Sequence, residues 1–485
     1  MALICGAALY RPLLFWAKNA WDLNNPLDIF ATTLVILAPA IALYVVALRF
    51  NVRALPVAFF VTGVVFIAFN YQDIAVIPAA LWVTFVAAAS ILLYRRLPDQ
   101  MLAQIVGVAL VVIVVAPAAQ VGWQHVAQRV SYPVRDLDPP VAAQPTGEVE
   151  DILLVIVDSY PMLTVASDWF GHDASLLEQS LKNSGFEVSD VSWSHNTYTG
   201  LALPSILQLD QIADDSPKGE WGNRRERYEI IGGENFVAGT LHNAGFNYIH
   251  AEGGWNGASC MEVDVCLESS WLNEANWNLL SSSLASNFIE SEFGSMEVGN
   301  TLRVVDHLRE LKVFGDGHHD FVYAHLMLPH HPFVVDAECH VVPPNRRSDP
   351  SDEYGPLRRQ LACVDSLLMD VVTRIDSSTA VLIAGDHGMR TRDQVASPSA
   401  DWSDADIAER LGALLAYKLP EGCREPEIAS NLYAMRSIMA CSVTAQVPSS
   451  TAGFLIGEID PTLVSPERLS SIEEQLRSGS ALAAS

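Results

Sequence analysis

Asp151-Ile-Leu-Leu-Val-Ile-Val-Asp158 is a continuous aliphatic run closed by an acid. A strand wet on one face alternates apolar with polar residues, whereas an unbroken run fits a strand buried on both faces, as in parallel sheets. A second such run, Thr379 to Ala384, comes late and leads into Gly385-Asp-His-Gly388. Between them lie two amphipathic stretches. Ser175 to Ser184 sets Leu176, Leu177 and Leu181 to one side, and Leu357 to Ile375 carries Leu361, Val364, Leu367, Leu368 and Val371. Strands alternating with helices predict an α/β domain with a mostly parallel sheet and helices on both faces. Ligands of such sheets collect beyond the carboxyl ends of the strands, so the residues just past each strand are the first place to look for chemistry.

Working outward, residues 125–149 include Pro133, Pro139, Pro140 and Pro145 without a sustained apolar period, and read as a linker. Residues 466–485 are rich in Ser and Ala and read as a loose tail, which places the α/β domain at 150–465.

The 485-residue chain carries 29 basic and 56 acidic residues, for a net charge of -27, yet half of it is hydrophobic. Its mean hydropathy is +0.22. These facts reconcile only through segregation. Through Val130 there are seven basic and four acidic residues; the remainder has 22 against 52. So acidic a domain excludes nucleic-acid binding through a broad basic surface.

The slightly basic third reads as membrane. Ile29 to Leu48, Ala54 to Gln72, Ile74 to Tyr94 and Gln100 to Gln124 are free of charge. Each meets the length of about 20 apolar residues needed to cross a hydrocarbon core of about 30 Å. Leu3 to Trp16, interrupted by Arg11, is either a fifth span or an interfacial helix. Residues 1–124 are therefore expected to form a helical transmembrane domain of four or five spans. Arg49 and Arg53 lie in one short loop, Arg95 and Arg96 in another, and the turn between Asn70 and Asp73 has none. Positive loops stay inside, so everything after Gln124 is expected on the periplasmic or extracytoplasmic side of the cytoplasmic membrane.

Cysteine placement agrees. Cys5 lies in the apolar third, while Cys260, Cys266, Cys339, Cys363, Cys423 and Cys441 lie in the exported part. An even number there suggests disulfides, and six cysteines allow fifteen pairings. The economical local pairs are Cys260 with Cys266 and Cys423 with Cys441, leaving Cys339 with Cys363.

The candidate chemistry sits at the strand ends. Asp158 follows the first run, and Asp386-His387-Gly388 follows the second with only Gly385 between. Carboxylate and imidazole both bind Zn²⁺ or Mn²⁺ well, and Gly lets backbone pass close by. Ser194-His-Asn-Thr-Tyr-Thr-Gly-Leu-Ala-Leu-Pro-Ser205 offers hydroxyls leading into an apolar helix-like stretch. A hydroxyl at a helix amino terminus beside a divalent cation has what a nucleophile needs. Tyr323-Ala-His325-Leu-Met-Leu-Pro-His330-His331-Pro-Phe333 adds three imidazoles, suited to metal ligation, proton transfer or contact with an anionic oxygen.

Taken in order, these residues resemble the alkaline phosphatase/sulfatase superfamily, and more closely its membrane-anchored sulfatase-like branch of lipoteichoic acid synthases and lipid A phosphoethanolamine transferases. The resemblance spans roughly Glu150 to Pro420 and ends in Leu414-Leu-Ala-Tyr-Lys-Leu-Pro420. It implies one divalent metal ion, Zn or Mn ahead of Mg or Ca, held by Asp158, Thr199, Asp386 and His387. Counting back from Ser205 makes Thr199 the nucleophile, with Thr197 a poor second, and His330 the contact to the substrate's anionic group. The implied activity is hydrolysis or transfer of phosphate or sulfate esters of envelope lipids or glycans. Its partners would be membrane lipids, an anionic ester that could be lipid-linked, and a glycan or lipid acceptor, with no nucleic acid. The alternatives are an ester hydrolase with no transfer step and a catalytically silent binding domain. No Cys-x-Pro-Ser-Arg or Ser-x-Pro-Ser-Arg is present, so formylglycine chemistry is not implied. Asp-Ser after the first strand, rather than two acids, favours a single metal, with Asp320 and the additional His left for a second ligand set. Arg390 is a further candidate anion contact.

Overall fold

The structure is a computed structural model that describes residues 140–212, 224–255, 259–270, 273–274, 276–277, 293–311, 319–347, 351–392, 398–448, 453–457 and 462–479. The transmembrane reading of 1–124 lies outside these residues. Among the described residues no helix is long and apolar enough to cross a membrane.

The opening aliphatic run forms β1 (Asp151–Val157), buried at every position. It pairs in parallel with β5 (Asp320–Leu326) on one side and β6 (Thr379–Gly385) on the other, both equally buried. Beyond β5 lie β3 (Asn247–Ala251) and β4 (Val265–Leu267), both parallel; beyond β6 lie β7 (Leu415–Lys418), antiparallel to it, and β2 (Glu187–Val188). A separate pair, β8 (Phe454–Ile456) and β9 (Thr462–Val464), is antiparallel. The sheet is therefore mostly parallel, as the aliphatic runs predict.

Alternation along β1 divides the core into two layers. Leu153, Val155 and Val157 face one apolar layer, built with α1 (Leu163–Asp168), α2 (Ser175–Asn183), α6 (Phe293–Glu310), α7 (Gly355–Val372), α8 (Asp404–Leu411) and α10 (Pro466–Arg477). Ile152, Leu154 and Ile156 face the other, built with α3 (Thr199–Gln208), α4 (Arg224–Gly232), α5 (Phe236–Asn243) and α9 (Asn431–Ser442). Helices thus cover both faces. The connection from β5 through α7 to β6 crosses β1, placing a topological switch point at the carboxyl end of the central strand.

Disulfides join Cys260 to Cys266, Cys339 to Cys363, and Cys423 to Cys441, the economical pairing among the fifteen. Three readings need correction. Pro466–Arg477 is a helix rather than a loose tail: Ser465 caps it, and Leu469, Ile472 and Leu476 recur at helical spacing into the core. The end of the linker is docked on the domain, since Ala143 and Val149 are buried and Thr146 donates to the Ser442 carbonyl at 3.0 Å. Asp320 opens β5, where it accepts from Asn247 Nδ2 at 2.8 Å. A seven-residue strand at about 3.3 Å per residue separates it from the carboxyl ends, so it takes no part in a ligand set there.

Gly388 is where the loop after β6 passes the α8 carboxyl end. A Cβ there would lie 1.9 Å from the Glu409 carbonyl oxygen and 2.4 Å from that of Gly412. Gly299, exposed inside α6, would meet nothing within 4 Å. Gly388→Ala is expected to lower stability by about 1–3 kcal/mol, and Gly299→Ala to raise it by roughly 0.5–1 kcal/mol. Denaturant titration of the two variants checks the opposite signs.

Candidate functional site

The register brings the two acids level. Val157 pairs with Leu326 on one side and Gly385 on the other, so Asp158 and Asp386 each stand one residue past the paired ends of adjacent strands. Both are almost fully buried, at 2% and 0% exposure. Asp158, Asp386 and His387 each present a ligand atom, all within 4.8 Å of one another.

Ser159 sets their orientation. Its φ of 61° is in the left-handed region, unusual for a residue with a side chain. In that conformation its N–H donates to Asp386 Oδ1 at 2.9 Å and its hydroxyl to Asp158 Oδ1 at 3.0 Å. Next to it, Tyr160 donates to Asp365 Oδ1 at 2.5 Å, and Asp365 Oδ2 meets His172 Nε2 at 2.8 Å. The turn after β1 is thereby tied to α7.

His387 donates from Nδ1 to the Gly388 carbonyl at 2.9 Å, which leaves the Nε2 lone pair facing the site. Nε2 lies 3.1 Å from Thr199 Oγ1 and 3.4 Å from Asp386 Oδ2. Burial lowers the imidazole's pKa, with Arg410 acting in the same sense and Asp386 and Asp158 opposing. Asp386 Oδ2 is buried and has no hydrogen-bond partner among the described residues. On Asp158, burial acts to raise the pKa, but nearby His330, His325 and His387 outweigh it and hold the carboxyl below its usual range.

Thr199 is the first residue of α3, a ten-residue helix. The first-turn N–H groups of a helix have no partner within it and favour an anion there. Thr197 is committed elsewhere: its hydroxyl accepts from the Gly457 N–H at 3.2 Å, and its carbonyl accepts from Arg410. Ser205 is turned inward, donating to the Leu201 carbonyl at 2.8 Å and accepting from Asn196 Nδ2 at 3.1 Å. Of the three hydroxyls considered, only that of Thr199 meets the acid and imidazole cluster.

Among the remaining candidates, His325 is fully buried with Nε2 3.5 Å from Asp158 Oδ2. His330 is half-buried, its loop held by Gln360 Nε2 donating to the Pro329 and His330 carbonyls at 3.0 and 2.9 Å. His331 is exposed and lies edge-on to Phe333 at 5.4 Å. Arg390 is exposed too. A cavity of about 690 Å³ lies elsewhere, lined by residues of α1, α2 and the end of α10, and includes none of the candidate residues.

Three residues that sequence reasoning missed hold this arrangement. Ser159 stood in the sequence only as the residue found where a second acid would be. Arg410 of α8 donates to the Gly388 carbonyl at 3.0 Å as well as to Thr197, clamping the loop after β6 to the segment that leads into α3. His195 is buried at 1% exposure; its Nδ1–H donates to the Gly453 carbonyl at 2.9 Å and its Nε2 accepts from Ser430 Oγ at 3.0 Å. Phe454 stacks on its ring at 4.1 Å. The cluster of three His marked His325 in the sequence, whereas no local signal marks Arg410 or His195.

No protein-family profile and no curated protein sequence matches the chain. Solved structures do. The zinc complex of the C-terminal periplasmic domain of EcEptC from Escherichia coli aligns with a TM-score of 0.46 at 10% identity, covering 68% of this chain and 96% of that one. The integral membrane protein lipooligosaccharide phosphoethanolamine transferase A (EptA) from Neisseria meningitidis aligns at 0.41 and 12% identity, covering 92% and 96%. The lipoteichoic acid synthase LtaP from Listeria monocytogenes aligns at 0.36 and 10%, covering 74% and 96%.

Burial of His195 holds its pKa down to about 4 from an ordinary 6.5, so between those values the unfolded chain binds the proton and the folded chain does not. Stability should therefore fall as pH drops through that window, by about 3 kcal/mol in all. His195→Gln should flatten that part of the profile, read as urea midpoints against pH; an unchanged slope contradicts the assignment.

Proposed function

We propose that the chain is a membrane-anchored, sulfatase-like, metal-dependent enzyme that hydrolyses or transfers phosphate or sulfate esters of envelope lipids or glycans. The observation that carries this reading is Thr199 Oγ1 at the head of α3, 3.1 Å from His387 Nε2 and beside a buried pair of carboxylates. Two buried acids side by side cost several kcal/mol unless a counter-charge joins them. The donor set of Asp158, Asp386, His387 and Thr199 suits one divalent cation of the zinc or manganese kind, and the partnerless Asp386 Oδ2 is the kind of atom such an ion satisfies.

When bound, the cation lowers the pKa of a coordinated hydroxyl and neutralises charge on the transferred group. Thr199 Oγ1, held by the α3 amino terminus, attacks phosphorus in line, and the ester bond opposite breaks as the leaving alcohol departs. His330, one of the groups that lower the pKa of Asp158, meets the anionic oxygens of the substrate. Water or a hydroxyl acceptor then takes the group from Thr199. A silent binding domain has no use for this combination of buried acids, imidazole and hydroxyl.

Residues 1–124 form the anchor in this reading, 125–149 the linker, and 150–465 together with α10 the catalytic domain outside the cytoplasmic membrane. The three disulfides support an exported location.

Thr199→Ala should lose turnover of an aryl phosphate or aryl sulfate by about a thousandfold or more while the metal is retained. Wild-type chain exposed to envelope lipids should gain mass on Thr199 and the variant should not. Asp386→Asn should weaken metal binding by more than about a hundredfold, measured by calorimetric titration. Full turnover in Thr199→Ala would remove the threonine from its role.

A further inference from the structure

Asp158 shares its face of the sheet with an unusual column of rings. Strand alternation puts Tyr248 and His250 of β3, and Phe321, Tyr323 and His325 of β5, on that same side. Tyr248 stacks on Phe321 at 5.1 Å, His250 lies tilted against Tyr323 at 4.7 Å, and Trp255 stands edge-on to His325 at 5.9 Å. Tyr248 is 3% exposed; His250, Tyr323 and His325 are fully buried.

Six polar atoms in this column have no hydrogen-bond partner among the described residues: Tyr248 Oη, Tyr323 Oη, and both ring nitrogens of His250 and of His325. The nearest polar approach is the 3.5 Å between His325 Nε2 and Asp158 Oδ2. Leaving so many buried polar groups unsatisfied would weigh heavily against the fold. Buried polar clusters of this kind are completed by internal water, each molecule making about three hydrogen bonds. A cation fits less well, because the His250 and His325 ring nitrogens belong to none of the groups close enough to hold one. Burial, and the neighbouring His325, hold the pKa of His250 down to about 3. A neutral imidazole offers one donor and one acceptor, as a water chain requires. Gly253 closes the enclave: a Cβ there would lie 2.1 Å from the His325 carbonyl oxygen, so the loop after β3 rests directly on β5.

We infer that internal water binds between His250, Tyr323 and His325, and that His250 is a positioning residue acting through this water and His325 on Asp158. The water fixes the His325 ring so that Nε2 meets Asp158 Oδ2, while Ser159 grips Oδ1; the carboxylate is then aimed from both oxygens. The first half of the inference stands on the column alone, and the second rests on the metal reading above.

The test has two arms, both on the full chain. An experimental structure at a resolution that shows ordered solvent should contain water within hydrogen-bond reach of both His250 and His325; a dry column overturns the inference. In the second arm, Co²⁺ is titrated into wild type, His250→Phe and His250→Gln, with folding checked by thermal melts. His250→Phe should weaken binding about 10–100-fold and shift the Co²⁺ absorption bands, whereas His250→Gln stays within about threefold. Equal loss in both variants, or none in His250→Phe, overturns the positioning role. If His250→Phe does not fold, Tyr323→Phe replaces it, and several-fold weaker Co²⁺ binding is expected. A wild-type chain that binds no Co²⁺ sinks the metal reading instead, and the first arm then decides the water site by itself.

Discussion

Two carboxylates end adjacent buried strands, and their mutual repulsion is the constraint around which this domain is arranged. Asp158 and Asp386 stand level because β1 pairs with β6 from Asp151 to Val157 without a slip. A one-residue slip would turn one acid to the opposite face. Hydrogen bonds from Ser159 draw one oxygen of each acid into a shared turn, and imidazoles from β5 and from the loop after β6 approach the other oxygens at 3.5 and 3.4 Å. What these groups leave open is Asp386 Oδ2, beside His387 Nε2 and Thr199 Oγ1. The two buried carboxylates are thus held by the turn after β1 and flanked by imidazoles.

The segment that leads into Thr199 owes its position to elements far along the chain. His195 bonds to Gly453 and to Ser430, Thr197 to Gly457, and Arg410 to both Thr197 and Gly388. All but the partly buried His195 to Gly453 contact are buried, where hydrogen bonds are strong and a missing partner is costly. Thr199 therefore opens a helix whose leading segment is held from several distant parts of the chain at once. Such support is what pre-organised chemistry needs.

Much of the fold was legible because the central strands are buried on both faces, and burial leaves its mark on every residue of a strand. The runs at Asp151–Val157 and Thr379–Gly385 announced themselves in this way. Asp158, Asp386 and His387 were legible because they follow those runs directly. Thr199 rested on a count back from Ser205; the structure puts its hydroxyl beside His387 Nε2, with the Thr197 hydroxyl and Ser205 bonded elsewhere. Pro466–Arg477 was misread because Ser and Ala dominate its surroundings, while its three core-facing residues are few and widely spaced. Asp320 was misread for want of a direction, since an acid next to a strand serves a site only at the carboxyl end.

From the sequence by itself came the identity of the buried strands, the acids and hydroxyl that come after them, and the segregation of charge from apolar length. These are properties of short windows, governed by how each residue meets water or its immediate neighbours. Only the tertiary structure decided the strand order, the register that levels the two carboxylates, the disulfide pairing, and the clamps at Ser159, His195 and Arg410. Those depend on contacts between residues as many as 258 positions apart. Their choice reflects the packing of the whole domain, which no local pattern records.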